Sequence, residues 1–255
     1  MQQIRTICDD HGAVTIQLNR SEKMNAITNR VSKLLLKEIG KLKNDPDIKC
    51  LVITGAGDES FCAGGDLNEL HGGLTEEEAY RALQPMKQVL YELAAFPLPT
   101  FAFLNGQARG GGCEIATACD FRYGLDTGHY GFIQGNLGIT PGWGGGELLY
   151  KRIQADRAAH WLMAAQMYNA DQAYQIGWLN KIVEKDQLNI ETLLPSFLNK
   201  TQSQLKIFKS QYLRAISFHD AAEAMEEEVR RCASLWESKE HLQAVKKFLS
   251  TRKKY

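Results

Sequence analysis

The chain has no uninterrupted apolar run near the roughly 20 residues needed to cross a bilayer, which excludes a membrane-spanning helix. It has no net charge: 30 basic side chains cancel 30 acidic ones. That balance argues against nucleic acid or an anionic membrane as the main partner. The opening Met-Gln-Gln-Ile-Arg runs straight into strand-like sequence, so no signal peptide is expected and the expected location is cytoplasmic. None of the six cysteines (Cys8, Cys50, Cys62, Cys113, Cys119, Cys232) forms a Cys-x-x-Cys pair, so free thiols in a reducing compartment are expected. The six histidines (11, 71, 129, 160, 219, 241) have no metal-ligand spacing, and no metal is expected. Three glycine signatures are also missing: the dinucleotide Gly-x-Gly-x-x-Gly in the loop at 105–114, the Gly-Lys-Ser/Thr ending of a phosphate loop, and the Gly-x-Ser-x-Gly nucleophile elbow.

What is present reads as a soluble α/β chain of 255 residues with 44% apolar content. Residues 4–8 and 13–18 look like strands joined by a turn at Asp9-Asp-His-Gly12. Val31, Leu34, Leu35, Ile39 and Leu42 recur at helical spacing. Residues 50–54 and 100–104 are continuous apolar runs, consistent with strands buried on both faces. Thr75-Glu-Glu-Glu78 is a capping box for a helix that Pro85 should kink or split. Residues 121–124 are strand-like again. This alternation favours parallel connections. Beyond about residue 142 the pattern is mostly helical, with one further strand at 181–183. Ala222, Met225, Val229 and Cys232 form an apolar stripe for packing or an oligomer contact. The sequence shows no internal repeat.

Two glycine clusters follow apolar strands. One is Phe61-Cys-Ala-Gly-Gly-Asp66; the other is Asn105-Gly-Gln-Ala-Arg-Gly-Gly-Gly-Cys-Glu114. A glycine run at a helix start exposes backbone N–H groups at the positive end of the helix dipole. Two such loops could bring two N–H groups to one carbonyl oxygen, with the Glu114 carboxylate beside it to move a proton.

Four ordered segments carry a specific resemblance: Asn25-Ala-Ile27, Phe61-Cys-Ala-Gly-Gly-Asp-Leu67, Asn105 to Glu114, and Leu137-Gly-Ile-Thr-Pro-Gly-Trp-Gly-Gly145. Together they resemble the enoyl-CoA hydratase/isomerase family, the crotonase superfamily. The resemblance covers essentially the whole chain. It implies an α/β spiral of ββα repeats over residues 1–195 and a helical trimerisation region over 196–255, giving a homotrimer or a dimer of trimers. It implies an acyl-CoA thioester substrate, with coenzyme A as part of the substrate and no separate cofactor. Carried over by motif, the N–H groups of Ala63 and Gly111 would form an oxyanion hole for a thioester enolate. Glu114 would be the acid/base. Asn25, Ala26, Ile27, Gly64, Gly65, Asp66, Leu67, Gly110, Pro141, Trp143 and Phe248 would bind substrate. Where the family often has a lysine three residues after that phenylalanine, this chain has Thr251.

Hydratases of this family usually carry two glutamates. The second position falls on Gln134, whose amide can orient groups but cannot exchange a proton at neutral pH. Hydration of crotonyl-CoA is therefore expected to be weak, and chemistry that needs one carboxylate gains. Residues 118–122, the Pro-Gly-Trp-Gly-Gly run and Asp66-Leu-Asn68 also resemble the ethylmalonyl-CoA decarboxylase branch. An acyl-CoA decarboxylase, or a weakly catalytic CoA- or RNA-binding relative, are the alternatives.

Overall fold

The computed structural model describes residues 2–66, 69 and 73–252. Strands β1 (Ile4–Cys8) and β2 (Ala13–Leu18) form the expected hairpin and are followed by helix α1 (Asn29–Leu42). Strands β3 (Cys50–Gly55) and β4 (Ser60–Cys62) precede helix α2 (Glu76–Ala94). Strands β5 (Thr100–Leu104) and β6 (Gln107–Arg109) lead into α3 (Gly111–Ala118). Strands β7 (Phe121–Leu125) and β8 (His129–Gly131) are followed by α4 (Gly145–Tyr150) and α5 (Ala155–Ala164). Then come β9 (Tyr168–Asn169), α6 (Ala170–Gln175), β10 (Lys181–Val183), and the single-turn helices α7 (Ile190–Leu193) and α8 (Pro195–Leu198). Helices α9 (Gln202–Ala215), α10 (Ala221–Ser234) and α11 (Lys239–Arg252) complete the chain.

Two sheets result. The larger has the order β1-β2-β3-β5-β7-β10 and is parallel except for the β1–β2 hairpin. The smaller has the order β4-β6-β8-β9, with only β9 antiparallel. Strand pairs β3/β4, β5/β6 and β7/β8 each contribute one strand to each sheet, so a ββ unit recurs three times. The family resemblance implied this repeat, although the residues themselves show no internal repetition. The second sheet was also invisible in the sequence, because its strands are two or three residues long and sit inside what reads as loop.

Burial on both faces of the central strands is confirmed by alternation. Leu51 and Ile53 of β3 point into the main core, with Leu35 and Ile39 of α1 and Met86 and Leu90 of α2. Cys50 and Val52 point to the other face, where Phe101, Phe103, Leu194 and Leu198 form a second cluster under α7 and α8. Thr75 makes the full capping box with Glu78. Pro85 does not split its helix: α2 runs through it, because Leu83, Met86, Val89 and Leu90 hold both halves on the core. In the C-terminal stripe, Ala221 is buried and Ala222 exposed; Met225, Val229 and Cys232 are buried as expected. Their core is continuous with that of the sheets. Five cysteines are buried and Cys8 is exposed, all of them free thiols. No described helix is long and apolar enough to cross a membrane.

Candidate active site

The site is built where the chain leaves β4 and β6. Segment 25–27 runs beside segment 64–66: Ile27 N–H donates to Gly64 O at 2.8 Å, and Asp66 N–H donates to Ile27 O at 2.8 Å. Arg20 ties the two together, pairing with Asp66 at 3.1 Å and donating to Ala26 O at 2.5 Å. Asn25 is a clamp. It is fully buried, donates to Ala56 O and Ser60 O, and accepts from Arg20 N–H. Its side chain is spent internally and shapes the loop.

The expectation for Ala63 fails on one bond. Its N–H donates to Met24 O at 3.0 Å and has nothing left for a substrate. Gly64 then takes φ +91° and reverses the direction of the chain's amides. In the parallel bridge to Ile27, the N–H of Gly65 points away from that neighbour and has no partner among the described residues. Gly65, two residues further on, replaces Ala63 as the available donor. No signal in the sequence separates the two, since the reversal depends on one glycine dihedral.

Gly111 is the first residue of α3, so its N–H has no acceptor within the helix. The two loops touch: a Cβ on Gly64 would lie 3.1 Å from the Gly111 nitrogen. Gly111 and Gly112 are required by contact, and Gly110, at φ +52°, by its backbone conformation. A Cβ on Gly111 would overlap the Trp143 indole, and one on Gly112 would overlap the Cys62 carbonyl. A Cβ on Gly110 would sit 3.5 Å from the Gln134 amide carbon.

Glu114 is 2% exposed and lies one turn into α3. Its Oε1 accepts from Gln134 Nε2 at 2.8 Å, and its Oε2 accepts from the N–H groups of Trp143 and Gly145 at 2.9 and 3.0 Å. Burial pushes its proton affinity up to about 7, against the opposite pull of these donors. Gln134 is buried, and its Oε1 has no hydrogen-bond partner among the described residues. Trp143 packs on Gly111, and Pro141 lies partly exposed at the start of the same turn.

The structure thus brings together Gly65, Gly110, Gly111, Glu114, Gln134 and Trp143, with 25–27 and Asp66 as the adjoining wall. Leu67 lies outside the described residues. Phe248 falls in α11, but its side chain is likewise outside them. One residue escaped the sequence reading altogether: Glu228 of α10. Its Oε1 accepts from Gly144 N–H and its Oε2 from Glu147 N–H, both at 2.7 Å. It lies one residue before Val229 of the packing stripe, and nothing in a helical pattern tells an inward carboxylate from a solvated one.

Residues 9–255 match the family described as enoyl-CoA hydratase/isomerase. A crotonyl-CoA hydratase of Syntrophomonas wolfei subsp. wolfei is 35% identical over 199 residues, 76% of this chain and 75% of its own length. An ethylmalonyl-CoA decarboxylase of Xenopus laevis is 32% identical over 174 residues, 68% of this chain and 58% of its own length. The crystal structure of an enoyl-CoA hydratase from Bacillus halodurans superposes with a TM-score of 0.88 at 20% identity, covering 96% of this chain and 100% of that one. It shares the crotonase fold. The chain belongs to the enoyl-CoA hydratase/isomerase family.

Proposed function

We propose that the protein moves a single proton on an acyl-CoA thioester by way of an enolate. The thioester oxygen would sit between the N–H groups of Gly65 and Gly111 and take up negative charge there, at the positive end of α3. Donors of this kind are each worth roughly 3 kcal/mol to the transition state. Glu114 is the group that carries the proton. A carboxyl whose affinity lies near neutral pH can both take and return one.

The observation that carries this reading is the pairing of Glu114 with Gln134. One partner is a carboxylate and the other a neutral amide, so only one of them can move a proton. Double-bond isomerisation fits that inventory. Glu114 takes a proton from C2 of a 3-enoyl thioester. The electron pair moves onto the thioester oxygen, the double bond shifts to C2–C3, and Glu114 returns the proton at C4. Trp143, over Gly111, would form one wall of the acyl pocket.

Decarboxylation is the second reading, favoured by the likeness to the Xenopus decarboxylase. There the electron pair left by departing CO2 would enter the same oxyanion site, and protonated Glu114 would quench C2. The test is to incubate the protein with a 3-enoyl-CoA, crotonyl-CoA and ethylmalonyl-CoA and follow products by mass. Conversion of the first well ahead of the others is expected. Loss of CO2 from the third alone would replace isomerisation with decarboxylation. Fast hydration of the second would show that Gln134 does not limit the chemistry.

A further inference from the structure

Glu228 is a carboxylate with no part in the reading above, yet it grips the turn that holds Glu114. Four amides of residues 143–147 are taken by two carboxylates in alternation. Trp143 and Gly145 donate to Glu114; Gly144 and Glu147 donate to Glu228. The glycines of the turn admit both. A Cβ on Gly145 would overlap the Glu114 side chain, and one on Gly146 would lie 2.8 Å from Glu228 Oε2. Gly144, at φ +88°, faces Met225, one turn before Glu228 on the same helix.

A neutral serine or asparagine would satisfy the free amides at the start of α4. A second glutamate instead adds charge where charge is already costly. Among the described residues, no lysine, arginine or histidine is ion-paired with Glu114 or Glu228. The other titratable groups that face them are Glu147 on α4 and the Cys113 and Cys232 thiols on α3 and α10. None of these supplies positive charge. The nearby Glu226 is turned to α2, where Lys87 pairs with it at 2.9 Å.

We propose that Glu228 is a positioning residue for Glu114: the two carboxylates share one turn, and the charge state of each sets that of the other. Burial, and then the charge of Glu114, raises the proton affinity of Glu228 as well. The pair therefore titrates as a unit, giving up its two protons in separate steps. In the first step one proton leaves; the second is held back by the negative charge already formed.

The inference rests on Glu114 being the acid/base of the proposed reaction, and its test is chosen to stand apart from that reading. Infrared pH titration follows the carboxylic acid bands of wild type, Glu114→Gln and Glu228→Gln without any substrate. Two steps are expected in wild type. In Glu228→Gln the second, higher step is expected to vanish while the first, that of Glu114, stays; in Glu114→Gln the Glu228 step is expected about one pH unit lower. The kcat/KM profile for whichever acyl-CoA is turned over should keep its ascending limb in Glu228→Gln and lose any break at the second step. Glu228→Asp keeps the charge but shortens the reach, so it should lower kcat while keeping that break.

An unmoved Glu228 step in Glu114→Gln overturns the proposal. Should that variant fail to fold, Glu228→Gln answers instead: the higher step must then be lost, and a two-step titration retained there overturns it equally. Infrared coupling in a protein that turns over none of the three thioesters would leave the pair standing and remove the enzyme reading instead.

Discussion

Two buried carboxylates, six residues apart in sequence, have opposite surroundings. Asp120, at the end of α3, is 3% exposed; its two oxygens lie 2.6 and 2.5 Å from Lys209 Nζ on α9. Thr100 N–H donates to it at 3.0 Å, and Arg152 stands at 3.5 Å. Glu114, at the other end of the same helix, is equally buried but meets only neutral donors and, across the turn, another acid. Full pairing fixes a charge and makes it a structural tie, here between the C-terminal helices and the sheet. Neutral donors alone leave the proton exchangeable, which is what acid/base chemistry needs.

The sharpest way to break this contrast is at the paired end. Lys209→Met leaves buried Asp120 to Arg152 at 3.5 Å and the charge of Arg122, and should cost up to about 3 kcal/mol of stability. Urea denaturation at pH 7 measures it, and a loss under about 1 kcal/mol would mean that the cluster is not the tie described. Pairing the change with Asp120→Leu should recover little of the loss, because Arg152, whose side chain is fully buried, then loses the carboxylate it faces. Glu114→Gln is next in size. Turnover should fall at least about 10²-fold, about 2.7 kcal/mol in the barrier. Its denaturation midpoint should stay far closer to wild type than that of Lys209→Met. A variant that unfolds with little loss of specific activity would reverse the two roles.

The sequence made one end of α3 legible and not the other. Three consecutive glycines before Glu114 mark a helix start that can be approached closely, and Trp143 and Cys62 of the chain itself come up to Gly111 and Gly112 there. The parallel sheet was legible too, because β3 and β5 are apolar on both faces. The choice between Ala63 and Gly65 was not, since it turns on the φ of Gly64. Nor was the Asp120–Lys209 tie, formed across 89 residues by a lysine in a helix that reads as solvated. Glu228 was hidden for the same reason: one-dimensional periodicity gives the buried stripe but not the exceptions beside it.

A smaller effect tests the neutral side of the contrast at Gln134. Gln134→Glu puts a second proton carrier where the amide now donates to Glu114 at 2.8 Å. Crotonyl-CoA hydration should rise by about tenfold, at the low end of what a positioned acid/base group contributes. The gain is held down by the charge of a third carboxylate beside Glu114 and Glu228. If hydration does not rise, the missing carboxylate at 134 is not what limits it.

The smallest effect is on how stability depends on pH. The proton affinities of Glu114 and Glu228 are both raised in the folded state, the first to about 7 from an ordinary 4.5. Between those values the folded protein binds more protons than the unfolded chain. Stability therefore falls as pH rises through this window, and is unaffected below it. Glu228→Gln removes one titrating member, so the fall should become shallower. Urea midpoints at pH 5 and pH 8 for both proteins would show it, with a difference between the two slopes on the order of 1 kcal/mol. Lys209→Met should instead lower both midpoints together, because its loss lies at the Asp120 cluster and not at the Glu114–Glu228 pair. Parallel lines for wild type and Glu228→Gln would mean that Glu228 holds the turn without sharing the charge of Glu114.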